Sequence, residues 1–348
     1  MSQEQEAFLQ VKNLRIEFKT DNGLLQAVRG IDFSLKKGKT LGIVGESGCG
    51  KSVTSKAIIG LNPKEFQTTG EVLLQQENTK EPLDLLTIKQ NGPVMRSIRG
   101  KRISMIFQEP MTAFSPLYTI GNQIMEAVLL HQTKDKKQAK EWTLRMLEKV
   151  GISDAEKRFE QYPHEFSGGM RQRAMIAMAL SCNPEILIAD EPTTALDVTI
   201  QAQVLELMKD LQEEFGMSIL FITHDLGIVA EMCDEVAVMY LGKVVEHGTV
   251  HDLFKRPKHP YTKGLIDSIP VIGSRKKRLL SIEGTVPVPI GLTTGCGFYE
   301  RCHERIQGVC NKRDVNTIHV DDRHKVACVL YDSTLEKKEV HVGERDYS

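Results

Sequence analysis

The sequence has no excess of either charge, no long apolar run and no secretory signal. Its 45 basic and 46 acidic side chains leave a net charge of −1, which gives no electrostatic reason to expect nucleic-acid binding. No window approaches the ~18 uncharged apolar residues that a membrane-spanning helix needs. The first residues, Met1 to Glu6, are polar and acidic, unlike a secretory leader. We therefore expect a cytosolic protein whose cysteines stay reduced or bind metal.

The amino-acid composition is that of an ordinary globular protein. Of the 348 residues, 41% are hydrophobic and 26% are charged, and the length predicts two or three domains. Residues 256–260 break the regular pattern, so we predict one domain over 1–255 and a second over 256–348. Within the first, residues of about 115–182 are predicted to be helical. The basic run 275–278 is predicted to be solvated surface or a linker.

A phosphate-binding loop is the strongest motif. Residues 45–52 fit G-x-x-x-x-G-K-[ST], between a short apolar strand at 40–44 and a helix at 53–61. Backbone N–H groups of such a turn can surround an anion, and the helix N-terminus adds a positive dipole end. Lys51 is predicted to meet the β- and γ-phosphates, and the Ser52 hydroxyl to bind Mg²⁺. The predicted nucleotide contacts are Gly45, Glu46, Ser47, Gly48, Cys49, Gly50, Lys51 and Ser52.

Two buried strands end in side chains suited to a metal–phosphate site. The apolar run 186–189 leads into Asp190 and Glu191, and the run 103–107 ends at Gln108. Because carboxyl ends of parallel strands line the nucleotide crevice of α/β sheets, we predict Asp190, with Ser52 and Gln108, to hold Mg²⁺. Glu191 should point the other way and polarise the attacking water, and Gln108 should lie beside the bound nucleotide as a further catalytic candidate. Adjacent carboxylates that merely end a strand in solvent are the alternative.

Two helix starts and one histidine are further candidates. Ser167 caps a helix that opens with Gly168 and Gly169, two residues that cost on the order of 1 kcal/mol each in a helix. Close approach of a phosphate to bare backbone would explain them, and an ordinary helix start is the alternative. Asp197 is predicted to cap the next helix. His224 follows a buried strand and could contact a γ-phosphate or be a structural histidine.

An aromatic residue upstream of the loop completes the candidates. Phe18 lies in the stretch 8–18, which alternates loosely and is predicted to be an edge strand. Its ring could stack on an adenine, or could simply pack within the strand. The sequence alone favours neither.

In this order, the motifs resemble those of the nucleotide-binding subunits of ABC transporters over roughly residues 8–250. They correspond to Walker A (45–52), the Q-loop (Gln108), the signature (167–169), Walker B (186–191), the D-loop (195–197) and the H-loop (His224), with Phe18 as the adenine-stacking aromatic. A finer resemblance is to the ATP-binding subunits of oligopeptide, dipeptide and nickel importers. It rests on residues 166–173, on residues 259–262 and on the C-terminal cysteines.

The resemblance implies the fold and the activity. The expected fold is α/β, an ABC-type P-loop nucleotide-binding domain with a mixed sheet core, an antiparallel β subdomain and a helical subdomain, followed by a small cysteine-containing extension. The expected function is ATP hydrolysis with Mg²⁺ that powers peptide import, with nickel or another small solute as the alternative cargo. A soluble ABC ATPase without a transport role is the less favoured alternative.

The resemblance also implies partners and location. We expect a second ABC ATPase subunit, either another copy or a paralogue, whose 167–169 helix start faces the phosphate loop of the first. Two integral membrane permease subunits and an extracytoplasmic substrate-binding protein should complete the transporter, without nucleic acid. The chain would then lie at the cytoplasmic face of the membrane as a peripheral subunit.

Four of the seven cysteines are grouped near the C-terminal end with the spacing C-x5-C-x7-C-x17-C. These are Cys296, Cys302, Cys310 and Cys328. In a reducing compartment such a group favours metal over disulfides, and the C-x2-4-C pairs of structural zinc sites are missing. Four thiolates can hold a [4Fe–4S] cluster, and the peptide-importer resemblance implies one because some relatives carry it in this segment. Zinc and reduced structural thiols are the alternatives.

Overall fold

The computed structural model describes residues 7–76, 79, 81–109, 113–194, 196–269, 282–291 and 294–334. Ala195 of the predicted D-loop and the basic run 275–278 lie outside the described residues. The strands are β1 (Ala7–Thr20), β2 (Gly23–Lys36), β3 (Thr40–Val44), β4 (Gln67–Leu74), β5 (Leu83–Asp84), β6 (Ile103–Ile106), β7 (Ile186–Asp190), β8 (Ser218–Thr223), β9 (Glu235–Tyr240), β10 (Lys243–Thr249), β11 (Ile318–His319) and β12 (Lys325–Val326). The α-helices are α1 (Lys51–Ile58), α2 (Pro93–Ile98), α3 (Ile120–His131), α4 (Lys136–Lys149), α5 (Ala155–Phe159), α6 (Gly168–Leu180), α7 (Val198–Phe215), α8 (Leu226–Met232), α9 (Val250–Lys255) and α10 (Pro260–Asp267).

The larger sheet is mixed, as predicted. Its strand order is β11-β12-β10-β9-β3-β8-β7-β6. Strands β9, β3, β8, β7 and β6 run parallel, whereas β10, β12 and β11 are antiparallel to their neighbours. Every residue of β3, β7 and β8 is buried, which is the pattern of parallel strands covered on both faces. The carboxyl ends of these three strands therefore meet at one edge of the sheet.

The smaller sheet is antiparallel, in the order β2-β1-β4-β5. The prediction that residues 8–18 form an edge strand is wrong, because β1 pairs with β2 on one side and with β4 on the other. Alternate side chains of β1, among them Leu9, Val11 and Ile16, are buried in the same core as Ile58 of α1. The sheet is thus held against the helix that follows the phosphate loop.

The helices α3 to α6 pack on one another in the region predicted to be helical. One face of α4 is apolar and faces the core, since Ala139, Met146 and Leu147 are buried and the half-buried Trp142 donates its ring N–H to the Ser181 carbonyl at 2.8 Å. The core of this region also contains side chains of α6 and α7. Helix α6 is therefore tied at its C-terminal end to the core, and its first residues project from it.

The C-terminal segment is joined to the larger sheet. Strand β12 pairs with β10, so the sheet continues past the predicted boundary at 255–260. The Glu246 carboxylate of β10 is fully buried and accepts the backbone N–H groups of Lys258 and His259 at 2.7 and 2.8 Å, and its Oε1 lies 2.7 Å from His324 Nε2. The division into domains at 1–255 and 256–348 stays a prediction.

Candidate nucleotide-binding site

The phosphate loop leaves the end of β3 and enters α1 at Lys51. A Cβ at Gly45 would lie 2.1 Å from the Met239 carbonyl oxygen, and one at Gly50 would lie 2.4 Å from that of Ala27. Both positions therefore require glycine. Gly48 has a φ of 79° and no atom within 4 Å of a Cβ placed there, so the loop has open space on that side.

The Lys51 ammonium lies inside the loop. Its Nζ donates to the carbonyl oxygens of Gly45 at 2.8 Å and Glu46 at 3.1 Å, and the residue is only 5% exposed. Cys49 is also buried, and this burial raises the pKa of its thiol. The thiol is therefore neutral at physiological pH.

Ser52 and Asp190 are brought together, as the Mg²⁺ prediction requires. Ser52 Oγ donates to Asp190 Oδ1 at 3.0 Å across the gap between α1 and β7. Asp190 is buried, and the loss of solvation raises the pKa of its carboxyl group. A hydroxyl and a carboxylate placed side by side beside a phosphate loop are oxygen ligands that suit Mg²⁺. The role itself stays a prediction.

Glu191 points away from Asp190 and is surrounded by three polar side chains. Its Oε2 accepts from Gln108 Nε2 at 2.8 Å and from Thr194 Oγ1 at 3.0 Å, and its Oε1 lies 3.2 Å from His224 Nδ1. Burial acts to raise the pKa of Glu191, but the bonds from His224 and Thr194 outweigh it and hold the pKa below its usual value. The carboxylate is therefore ionised and oriented, with its backbone at a left-handed φ of 48°.

Gln108 lies among the side chains that surround Glu191. Its hydrogen bond goes to Glu191, so in this conformation it stands with Glu191 rather than with the Ser52–Asp190 pair. Sequence reasoning missed Thr194. Thr194 follows Glu191 by three residues, and its N–H donates to the Glu191 carbonyl at 3.2 Å in a turn. This short spacing is the sequence signal that could have identified it.

One cleft of about 670 Å³ joins the phosphate loop to the Glu191 group. It lies where β3, β7 and β8 end, which is the ligand position expected for an open α/β sheet. Its lining residues are Val44, Gly45, Glu46, Ser47, Gln108, Glu191, Thr194, His224, Leu226, Leu265 and Val286.

The 167–169 helix start is not part of that lining. Ser167 caps α6 by accepting the Met170 N–H at 3.3 Å, and both Ser167 and Gly168 are exposed. A Cβ at Gly168 would meet nothing within 4 Å, whereas one at Gly169 would lie 3.1 Å from Ile200 of α7. Asp197 caps α7, as predicted, by accepting the Ile200 N–H at 3.0 Å. The two helix starts therefore lie together, away from the phosphate loop of the same chain.

Comparison with known proteins decides the family. Residues 28–194 match the ABC transporter family, and residues 245–310 match the oligopeptide/dipeptide transporter C-terminal region. The chain is 51% identical to the dipeptide transport ATP-binding protein DppD of Bacillus subtilis over 95% of this chain and 97% of that protein. The chain belongs to the ATP-binding proteins of ABC transporters.

Other relatives agree with this assignment. The oligopeptide transport ATP-binding protein AppD of Bacillus subtilis is 50% identical over 93% of this chain and 97% of its own length. Among solved structures, the dimeric post-hydrolysis state of the ATP-binding cassette MJ0796, bound to ADP and Pi, has a TM-score of 0.60 at 25% identity, covering 70% of this chain and 98% of the cassette. The predicted fold and ATPase class of this ABC protein are thereby confirmed. In the described part of the chain, no helix is both long and apolar enough to cross a membrane.

The aromatic residue predicted to stack on adenine has a partner in this ABC ATPase. The rings of Phe18 and Phe66 are stacked, with centroids 4.2 Å apart and planes 8° from parallel. Phe66 lies just before β4, and sequence reasoning missed it because the pair forms only when β4 folds against β1. One face of the Phe18 ring is therefore covered by Phe66.

The four C-terminal cysteines of the ABC protein line one small enclosed cavity. Cys302, Cys310 and Cys328 are buried and Cys296 is partly buried, all as free thiols. Burial raises the pKa of Cys302 and of Cys328 to about 12. Within the described ranges, no three or more His, Cys, Asp or Glu side chains are placed to hold a metal ion. The four thiols line the same space but are not arranged as a set of metal ligands, so the cluster and the zinc alternative both stay predictions.

Proposed function

We propose that this chain hydrolyses Mg·ATP between two ATPase subunits and so powers the import of peptides across a membrane. The observation that carries the proposal is the cleft in which the phosphate loop faces a carboxylate, Glu191, held by Gln108, Thr194 and His224. Peptide as the cargo is supported by the similarity to dipeptide and oligopeptide transport proteins and by the C-terminal family match. Nickel or another small solute is the alternative cargo.

Nucleotide binding uses groups that are already placed. Phe18 presents one ring face to the adenine, and the N–H groups of residues 45–52 surround the β-phosphate. Lys51 exchanges its loop carbonyls for phosphate oxygens. Ser52 and Asp190 would hold Mg²⁺, which would supply positive charge to offset that of the phosphates. Gln108, which bonds Glu191 in this structure, is the third ligand of the predicted set.

Hydrolysis requires one oriented water. The ionised Glu191 accepts a hydrogen bond from that water and then its proton, as the water oxygen attacks the γ-phosphorus in line. The bond from the γ-phosphorus to the bridging oxygen breaks, and ADP leaves with the electron pair. His224, at the same carboxylate, contacts the γ-phosphate. The low pKa of Glu191 keeps it ionised until the proton is transferred.

A second subunit completes the site. The exposed helix start at 167–169 and the adjacent Asp197 have no contact with the cleft of their own chain, so they face the phosphate loop of an opposing ATPase subunit. That subunit is another copy or a paralogue. Two integral membrane permease subunits and an extracytoplasmic substrate-binding protein complete the transporter, at the cytoplasmic face of the membrane.

Uptake by cells tests the cargo and the coupling together. Cells that lack the chain should regain uptake of a labelled dipeptide when they express the wild type, and should not regain it with Glu191→Gln. Restored uptake of nickel in place of dipeptide would support the alternative cargo. If the tagged wild-type chain co-purified from detergent-solubilised membranes without integral membrane proteins, the transport role would be overturned.

The cysteine cavity is the place for a resident [4Fe–4S] cluster in this proposal. Its support is four free thiols around one enclosed space. Such a cluster would cross-link the C-terminal segment and stabilise its fold. Anaerobically isolated protein should contain iron and sulfide and absorb near ~400 nm. Colourless protein with zinc, or with four thiols that react without metal release, would contradict the assignment.

A further inference from the structure

One residue of the phosphate loop, Glu46, is hydrogen-bonded to an arginine of the C-terminal segment. The Glu46 carboxylate accepts both arms of the Arg301 guanidinium, at 2.7 Å from Nη1 to Oε2 and 3.1 Å from Nη2 to Oε1. Arg301 lies directly before Cys302, 255 positions along the chain from Glu46. Paired hydrogen bonds of this kind fix orientation as well as distance.

Arg301 is itself held rigidly. Its side chain is only 6% exposed, and its remaining donors are used by the carbonyl oxygens of Glu283 at 2.8 Å and Ile282 at 3.3 Å and by the Tyr240 hydroxyl at 3.4 Å. The planar guanidinium has five N–H donors in a fixed fork, so a lysine could not reproduce this set. The carboxylate of Glu46 thus meets a fixed partner.

The Glu46 backbone is held from the same side. Its N–H donates to the Tyr261 hydroxyl at 2.9 Å, and Tyr261 is fully buried. The Tyr261 ring packs on Tyr240 and Phe298, with centroid distances of 4.7 and 5.4 Å. This aromatic group also surrounds Arg301, whose Cζ lies 5.8 Å from the Tyr240 ring centroid. Arg301 and Tyr261 therefore form one brace, here named the C-terminal brace.

The backbone carbonyl of Glu46 connects the C-terminal brace to the nucleotide site. The Glu46 carbonyl accepts Lys51 Nζ at 3.1 Å, next to the Gly45 carbonyl at 2.8 Å. The Glu46 N–H lies in the same peptide plane as the Gly45 carbonyl, and the Glu46 carbonyl lies in the next plane, so holding Glu46 fixes both acceptors of Lys51. If Arg301 or Tyr261 releases Glu46, the Lys51 ammonium loses a defined resting position.

We propose that Arg301 and Tyr261 are positioning residues for the phosphate loop, through which the cysteine-containing segment sets the affinity of the site for nucleotide. The inference rests on the proposed nucleotide site at residues 45–52. It assigns to the C-terminal segment a direct effect on ATP binding.

Nucleotide affinity is the decisive measurement, made on the full chain with a fluorescent ATP analogue and by competition with ATP. Arg301→Ala should raise Kd about tenfold, which corresponds to about 1.4 kcal/mol. Arg305→Ala is the matched control, because Arg305 is an exposed arginine of the same segment that bonds the Glu300 carbonyl and not the loop. Arg301→Lys should recover part of the affinity, since it keeps the charge but not the fork.

Tyr261→Phe removes only the hydroxyl that accepts the Glu46 N–H, and it should also raise Kd. Its control is Tyr331→Phe, which removes a hydroxyl that bonds the Lys258 carbonyl. Because Arg301 acts through Glu46, the double variant Arg301→Ala/Glu46→Ala should bind no more weakly than Glu46→Ala alone. In the complete transporter, the KM for ATP should rise more than kcat falls.

The possible outcomes separate the two proposals. If Lys51→Ala retains normal ATP affinity, the proposed nucleotide site is wrong. If Lys51→Ala loses affinity while Arg301→Lys and Tyr261→Phe match their controls, the positioning role is overturned. Additive losses in the Arg301/Glu46 double variant would also overturn it, since they would mean that Arg301 acts elsewhere. Should Arg301→Ala fail to fold, the lysine and phenylalanine variants still decide the question.

Discussion

The phosphate-loop side of the site and the 167–169 helix start are organised in opposite ways. On the first side, Lys51, Ser52 and Glu191 each have hydrogen-bond partners in their own chain. On the second, Ser167 makes its own helix cap and Gly168 faces open space. One side is organised before any ligand arrives, whereas the other presents bare backbone.

Solvation explains the difference. Charged groups that are partly buried in a cleft need partners, because losing water without compensation is costly. The first N–H groups of an exposed helix can remain solvated until an anion replaces the water. In the proposed function, an ATP site made of both kinds of surface is complete only when two subunits meet, and the following variants test that division.

The largest effect is expected from Glu191→Gln. The amide cannot accept the proton of the attacking water, so hydrolysis should fall by ~10²–10⁴ while ATP binding persists. Phosphate release measures the first effect, and size-exclusion chromatography with ATP should detect a trapped closed dimer. Glu214→Gln, at an exposed glutamate paired with Lys149, is the control. Near-normal hydrolysis by Glu191→Gln would remove this carboxylate from its role.

Ser167→Ala should separate the exposed side from an ordinary helix cap. It should cost about 1 kcal/mol of stability as a lost N-cap, and Asp135→Ala, which removes the cap of α4, should cost a similar amount. Only Ser167→Ala should also lower hydrolysis, by about 10- to 100-fold, because it loses a hydrogen bond to a charged phosphate. Equal activities in the two variants would contradict the shared site. Chemical denaturation and phosphate release measure the two quantities.

Phe66→Ala tests whether the phosphate-loop side is organised in advance. Removal of one ring of the stacked pair leaves Phe18 without its support, and aromatic pairs contribute about 0.5–1.5 kcal/mol. ATP affinity should therefore fall by roughly two- to tenfold. Phe66→Tyr, which preserves the stacking, should bind normally. A Phe66→Ala variant with unchanged affinity would show that Phe18 needs no partner.

Thr194→Val should have the smallest effect on hydrolysis at neutral pH and a clear effect on hydrolysis at acidic pH. The folded-state pKa of Glu191 lies below its usual value, so this carboxylate stays ionised as the pH falls through the ordinary glutamate range. The stability that this ionisation contributes is present above the unfolded pKa and is lost as the pH falls through the folded one. Without the Thr194 hydroxyl, the pKa should rise and the acid limb of the kcat profile should move to higher pH. A limb that stays in place would argue against this bond.

Several features were predictable because they depend on short stretches of chain. The phosphate loop, the buried strands before Asp190 and His224, and the caps at Ser167 and Asp197 all follow local rules of glycine, periodicity and helix capping. The interior position of β1 was not predictable, because its second partner β4 lies beyond the phosphate loop.

The sequence by itself determined the nucleotide motifs, their order along the chain and the transporter family that they resemble. Only the tertiary structure decided that Thr194 joins Glu191, that Phe66 covers Phe18, and that Arg301 reaches back to Glu46. The physical reason is that each of these contacts depends on the direction of side chains at a turn or between elements that are separate in the chain. Local propensity and spacing do not encode such contacts. They form when the two sheets pack with the C-terminal segment.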